Sequence, residues 1–148
     1  MGFFVLLLNK ELSPARVASL LGRLFAIEAA SVAELLSTAS SQLYYEIRLL
    51  QQDTVPRSDD PAAIFFVELC IYPHGQLQAL YDSDQAVARA FSHESQLPVI
   101  VGAQNKLDPY RWLLFEAEQV YEVDEWPEDE ETAAITVTRE NKTRRPSR

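Results

Sequence analysis

The apolar positions change period several times along the chain, and each change marks an element. Residues 3–8 are an unbroken apolar run, Phe-Phe-Val-Leu-Leu-Leu, closed by Asn9, Lys10 and Glu11. A run that short, bounded by polar residues, reads as a strand buried on both faces. Ser13-Pro14 then supplies an N-cap and a proline at the first helical position. Val17, Leu20, Leu21, Leu24 and Phe25 follow at helical spacing and form one apolar face. Ser31 and Glu34 have capping-box spacing, which predicts a second short helix carrying Leu35 and Leu36, separate or joined through a kink near Ala30. Residues 43–51 alternate, with Leu43, Tyr45, Ile47 and Leu49 on one side, as a half-buried strand does. Residues 64–72 form the strongest strand signal. Phe65, Val67, Leu69 and Ile71 share one side, and Glu68 is the one charge among Ile64, Phe66, Cys70 and Tyr72 on the other, which predicts a central position.

Pro73-His74-Gly75 has turn chemistry, and residues 76–81 read as the returning strand. Asp82-Ser83-Asp84 caps a helix over 84–95 with Ala86, Val87, Ala90 and Phe91 as its stripe. Residues 97–101 read as a strand, as do 110–116 and 119–126, either continuous or split near Ala117. Residues 53–62, 102–109 and 127–131 read as loops, the last strongly acidic. Residues 132–138 are β-prone and predict an edge strand. The resulting order is β-α-α-β-β-β-α-β-β-β, with too few helices for a doubly wound parallel sheet. The expected fold is α+β: a single, mainly antiparallel sheet of about six strands, with two to three helices on one face. Residues 1–138 are expected to form one globular domain, and 139–148 a basic, disordered tail.

Composition narrows the class further. A chain of 148 residues with 47% hydrophobic and 24% charged residues is a single globular domain in size and make-up. Cys70 is the only cysteine, so no intramolecular disulfide can form, and a reducing cytoplasm is the expected compartment. The N-terminal apolar run lacks a basic flank and is too short for a signal sequence or a membrane span. The 13 Lys+Arg against 22 Asp+Glu give net charge −9, which argues against a general nucleic-acid or anionic-membrane binder. Five of the 13 basic residues, Arg139, Lys142, Arg144, Arg145 and Arg148, lie in the tail, the one segment suited to nucleic acid.

No catalytic constellation stands out. His74 falls in a turn, His93 near a helix end where a cation is favourable on structural grounds alone, and Cys70 inside a central strand. Two separated histidines and one cysteine match no zinc spacing, and the four scattered glycines form no phosphate-cradling loop. No catalytic residue, cofactor or metal is therefore expected. The informative segment is 116–131, which holds nine of the 22 acids: Glu116, Glu118, Glu122, Asp124, Glu125, Glu128, Asp129, Glu130 and Glu131. If 116–124 were one strand, Glu116, Glu118, Glu122 and Asp124 would share a face with Val120. A solvated face tolerates such repulsion; a binding face would exploit it. Tyr110, Trp112, Tyr121 and Trp126 supply hot-spot aromatics beside the acids, so these four with Glu116, Glu118, Glu122, Asp124 and Glu125 are the candidate partner-binding set.

This profile predicts a binding protein that occludes the cleft of a basic protein partner. Its most concrete form is a bacterial immunity protein against a cognate toxin, nuclease-type first, because a nuclease needs a positive cleft for phosphates. The first alternative is a structural or adaptor subunit that homodimerises or docks through edge strand 132–138. A third is a small-ligand binder or enzyme with a sheet–helix pocket near Tyr44, Tyr45, Arg48, Arg111 and His74. Monomer and homodimer are both compatible with the sequence.

Overall fold

The apolar N-terminal run becomes an interior strand, β1 (Phe4–Leu8), in a computed structural model that describes residues 2–37, 40–51, 60–103, 111–125 and 134–145. β1 pairs antiparallel with β5 (Val67–Pro73) on one side and β6 (Val99–Gly102) on the other. Around these lie β2 (Val32–Glu34), β3 (Leu43–Leu49), β4 (Ile64–Phe65), β7 (Arg111–Glu116), β8 (Gln119–Glu125) and β9 (Ile135–Arg145). Among the described residues the sheet has nine strands in the order β2-β3-β5-β1-β6-β7-β8-β9-β4. Every pairing is antiparallel except β2–β3. The α+β class and the mainly antiparallel sheet hold; the expected six strands are corrected to nine.

Two helices, α1 (Pro14–Phe25) and α2 (Asp84–Ser95), pack on one face of this sheet. Side chains alternate across β1, β6 and β7, so Leu6, Leu8, Val99, Val101, Leu113 and Phe115 meet Leu20, Leu21, Phe25, Val87 and Phe91 of the helices. The Ser13 hydroxyl accepts the Arg16 N–H and caps α1, and Ser83 does the same for α2 through Ala86 N–H. α1 ends at Ala26, whose φ of 57° is left-handed. The chain then passes so close to α1 that a Cβ on Gly22 would sit 2.8 Å from the Ile27 carbonyl oxygen. β6 pairs only with Leu7 and Leu8 of β1. The Val5 N–H is bonded instead by the Asp84 carboxylate at 3.4 Å, which joins the start of α2 to the sheet.

The opposite face carries a second, smaller core. Leu7, Ile100, Leu114 and Val123 project there from the sheet and meet Leu50, Ala63, Phe65, Ala134 and Val137. β4 and β5 are separated by Phe66 alone, yet β4 pairs with β9 at the far end of the strand order. The ladder must therefore coil over itself. Backbone bonds fasten the fold-over: Leu50 N–H donates to Phe66 O, Phe66 N–H to Leu8 O, and Ala134 N–H to Gln51 O.

Several sequence expectations are corrected by this geometry. Ser31 and Glu34 do not open a helix; a 3-10 turn over Ala29–Ser31 leads into β2, because buried Val32 gains both a core site and a ladder beside Leu43. Residues 76–81 form no returning strand; Gly75–Ala79 is a 3-10 helix, with Leu77 its one buried residue and no alternating face to bury. The strand expected over 64–72 breaks at Phe66, and the break sends Phe65 into the second core while Val67, Leu69 and Ile71 stay in the first. The described part of the segment expected as an edge, 134–138, is not free: Ile135 and Thr136 pair with β4, and Val137 and Thr138 with β8, while 132 and 133 lie outside the described residues. The tail is no disordered extension through 145, since β9 continues to Arg145 and pairs residues 143–145 with 120–122. β8 supplies an edge whose backbone groups need partners, whatever side chains the partner strand carries. Between the two paired stretches β9 bulges, stepping from Thr143 to Thr138 while β8 advances from Glu122 to Asp124.

Candidate functional site

The acidic segment is a hairpin. β7 and β8 are joined by a two-residue turn, Ala117 and Glu118, with φ of 50° and 63°. Two left-handed residues give the turn a twist that matches the flanking strands. Of the two readings, continuous or split near Ala117, the split one is observed, so the single acidic strand over 116–124 does not form. Glu122 and Asp124 share a face of β8 with Val120, as expected, but Glu116 ends β7 and Glu118 occupies the turn. No glycine marks this turn, so local sequence left the choice between continuous and split open.

Arg111 sits across the ladder from Asp124 and holds both carboxylates of the β8 face. Its Nη1 lies 3.5 Å from Glu122 Oε2 and its Nε 3.0 Å from Asp124 Oδ1. The guanidinium offsets repulsion between the two acids and fixes their positions. On the other face the Trp112 Nε1–H donates to Glu125 Oε1 at 2.8 Å, and Trp112 and Tyr121 pack against the second core. The hairpin thus brings Trp112, Tyr121 and Glu125 to one face and Glu122 and Asp124 to the other. Tyr110, Trp126 and the acids from Glu128 to Glu131 lie outside the described residues.

Burial raises the Glu125 carboxyl above its ordinary pKa, and the Trp112 hydrogen bond opposes this only in part. The folded state therefore binds this proton more tightly than the unfolded chain does. That contribution to stability is full below the unfolded pKa and is lost as pH rises through the folded pKa. Glu125→Gln keeps an acceptor for Trp112 and removes the titration. The variant is expected to be more stable than the parent at neutral pH, with the gain disappearing below about pH 4, where the unfolded carboxyl is protonated. Urea unfolding at both pH values checks this; a variant less stable at neutral pH would show that the carboxylate form of the bond outweighs its desolvation.

The end of the hairpin meets α2 in a cleft of about 450 Å³. Ala86, Arg89, Ala90 and His93 line it from the helix, and Phe115, Glu116 and Glu118 from the hairpin. His93 Nδ1 lies 2.7 Å from Glu118 Oε1, and the Arg89 guanidinium rests 5.6 Å from the centroid of the Phe115 ring. The Ser92 hydroxyl bonds the carbonyls of Leu97 and Phe115, at 2.7 and 3.1 Å, and ties the helix to the strand behind the cleft. Sequence reasoning placed His93 at a helix end and missed Arg89. The two share a helix face at i, i+4 spacing, but Phe115 and Glu118 come from a remote hairpin.

The five residues considered for a sheet–helix pocket do not converge on one pocket. Tyr44 meets the His74 ring edge-on at 5.4 Å, Tyr45 bonds Glu34, Arg48 pairs with Glu68 at 3.1 Å, and Arg111 belongs to the acidic face. The Cys70 thiol is pushed up by burial and by the neighbouring Glu68, which disfavours the thiolate a nucleophile needs. Among the described residues no group of three or more His, Cys, Asp or Glu side chains is placed to hold a metal ion. Nor is any described helix long and apolar enough to cross a membrane. No protein family, curated protein or solved structure matches this chain.

Proposed function

We propose that this chain is a small acidic cytoplasmic binding protein that occupies the cleft of a basic protein partner, as a bacterial immunity protein occupies a nuclease-type toxin. The observation that supports this reading is the charge density of the β7–β8 hairpin, where residues 111–125 carry five carboxylates against one guanidinium. Arg111 contributes by holding Glu122 and Asp124 in fixed positions, so a partner's cations meet acceptors that need no ordering. Trp112 and Tyr121, half-buried on the other face, give the hairpin rigid aromatic flanks. A field of this sign speeds encounter with a cationic cleft and weakens with salt.

The test is capture from the native lysate at low and high salt by the parent chain and by a Glu118→Gln, Glu122→Gln, Asp124→Asn variant. Neutral amides are chosen because reversed charges would repel Arg111. A stoichiometric basic partner is expected, with association slowed about tenfold by the variant and less dependent on salt. A partner bound equally by both proteins at both salts would remove the hairpin from the interface.

A further inference from the structure

The cleft between α2 and the β7–β8 turn shares Glu116 and Glu118 with the acidic hairpin, but its helix side brings Arg89, a group the partner reading does not use. Its volume of about 450 Å³ falls in the range of small-molecule sites, roughly 300–1,000 Å³. Arg23, Arg48 and Arg111 each pair with a carboxylate, whereas Arg89 is in no ion pair among the described residues. Of the acids nearby, Glu118 holds His93 at 2.7 Å, and Glu94 faces Arg23 at 3.7 Å. Arg89 is instead laid over the Phe115 ring. A guanidinium held over an arene by a cation–π contact leaves its N–H groups for a ligand. Phe115 is itself buried, and the Ser92 hydroxyl bonds its carbonyl, so the floor under Arg89 is rigid.

We propose that this cleft binds a small organic monocarboxylate. Arg89 takes the carboxylate, and the half-buried Ala86 and Ala90 take the apolar body. The charge of the lining sets the selectivity. Arg89 favours one anionic group, while Glu116 and Glu118 on the hairpin side repel a second, so dicarboxylates and phosphate esters are disfavoured. The His93–Glu118 pair stands at the same cleft and bridges α2 to the turn.

The experiment is an amide NMR titration of the full chain with sodium phenylacetate to about 20 mM, in parallel with phenylacetamide, at constant ionic strength. Saturable shifts are expected at residues 86–93 and 115–119, with the neutral amide binding at least about tenfold more weakly. Arg89→Gln is expected to weaken phenylacetate by about tenfold and leave phenylacetamide unchanged. Arg89 is exposed, so the substitution leaves the core intact, and the acid–amide comparison on the parent chain needs no variant. The proposal fails if no saturable shift appears at the cleft, if acid and amide bind alike, or if Arg89→Gln binds phenylacetate as the parent does. These outcomes do not depend on whether a protein partner exists.

Discussion

Phe65→Ala is expected to destabilise the protein by about 3–5 kcal/mol, the cost of truncating a fully buried aromatic side chain without collapse of the space left behind. Phe65 has no measurable exposure and lies at the centre of the second core, among Leu7, Leu50, Ile100, Leu114 and Val123. It also belongs to the two-residue strand β4, whose pairing with β9 closes the fold-over. The loss should therefore be accompanied by faster amide exchange at Ile135 and Thr136, the β9 residues that face β4, while α1 stays protected. Urea unfolding with hydrogen exchange measures both. A loss below about 1 kcal/mol, with β9 still protected, would mean that the second core does not hold the sheet closed.

Gly22→Ala is expected to reverse the usual sign of that substitution. In an open helix interior, alanine is better than glycine by about 1 kcal/mol. Here the new Cβ would stand 2.8 Å from the Ile27 carbonyl oxygen, 3.3 Å from Ala29 N and 3.4 Å from Ala29 Cα. All three are backbone atoms, so no side-chain rotation relieves the contact, and the connection after α1 must shift. That connection holds the Ile27 N–H bond to Gly22 O at 2.9 Å and leads directly into β2. Overpacking of this kind costs about 1–3 kcal/mol, which offsets the propensity gain and leaves a net loss of up to about 2 kcal/mol. The measurement is the urea midpoint at unchanged m-value. A raised midpoint would show that the 26–29 connection yields freely.

How far the sequence could be read depended on whether a segment's partners were local. α1 and α2 were legible because Ser13, Ser83 and the apolar stripes are self-contained signals, and the observed caps use those hydroxyls. β1, β3 and β6 were legible from apolar runs and alternation. Ser31 and Glu34 misled because a three-residue strand beside Leu43 competes with a short helix, and tertiary burial of Val32 decides the outcome. The break at Phe66 was invisible because the sequence on both sides of it is equally strand-like. The continuation of β9 to Arg145 was hidden by its polar composition, since its pairing depends on backbone groups of β8. At the candidate site the acids and Trp112 were found from composition, but Arg111 was assigned to a pocket rather than to Glu122 and Asp124. Arg89 carried no local signal, because Phe115 reaches it only through the hairpin.

The coiled-over sheet also sets the order in which the chain can become a finished molecule. The helix-side core is assembled from residues up to Val120, whereas the second core needs Ala134 and Val137. As synthesis runs from N- to C-terminus, those two residues are still inside the ribosome when Leu7, Leu50, Phe65 and Ile100 have already emerged. One face of the nascent sheet therefore stays apolar and uncovered until Ala134 and Val137 emerge, which makes that interval the one in which a chaperone has something to hold.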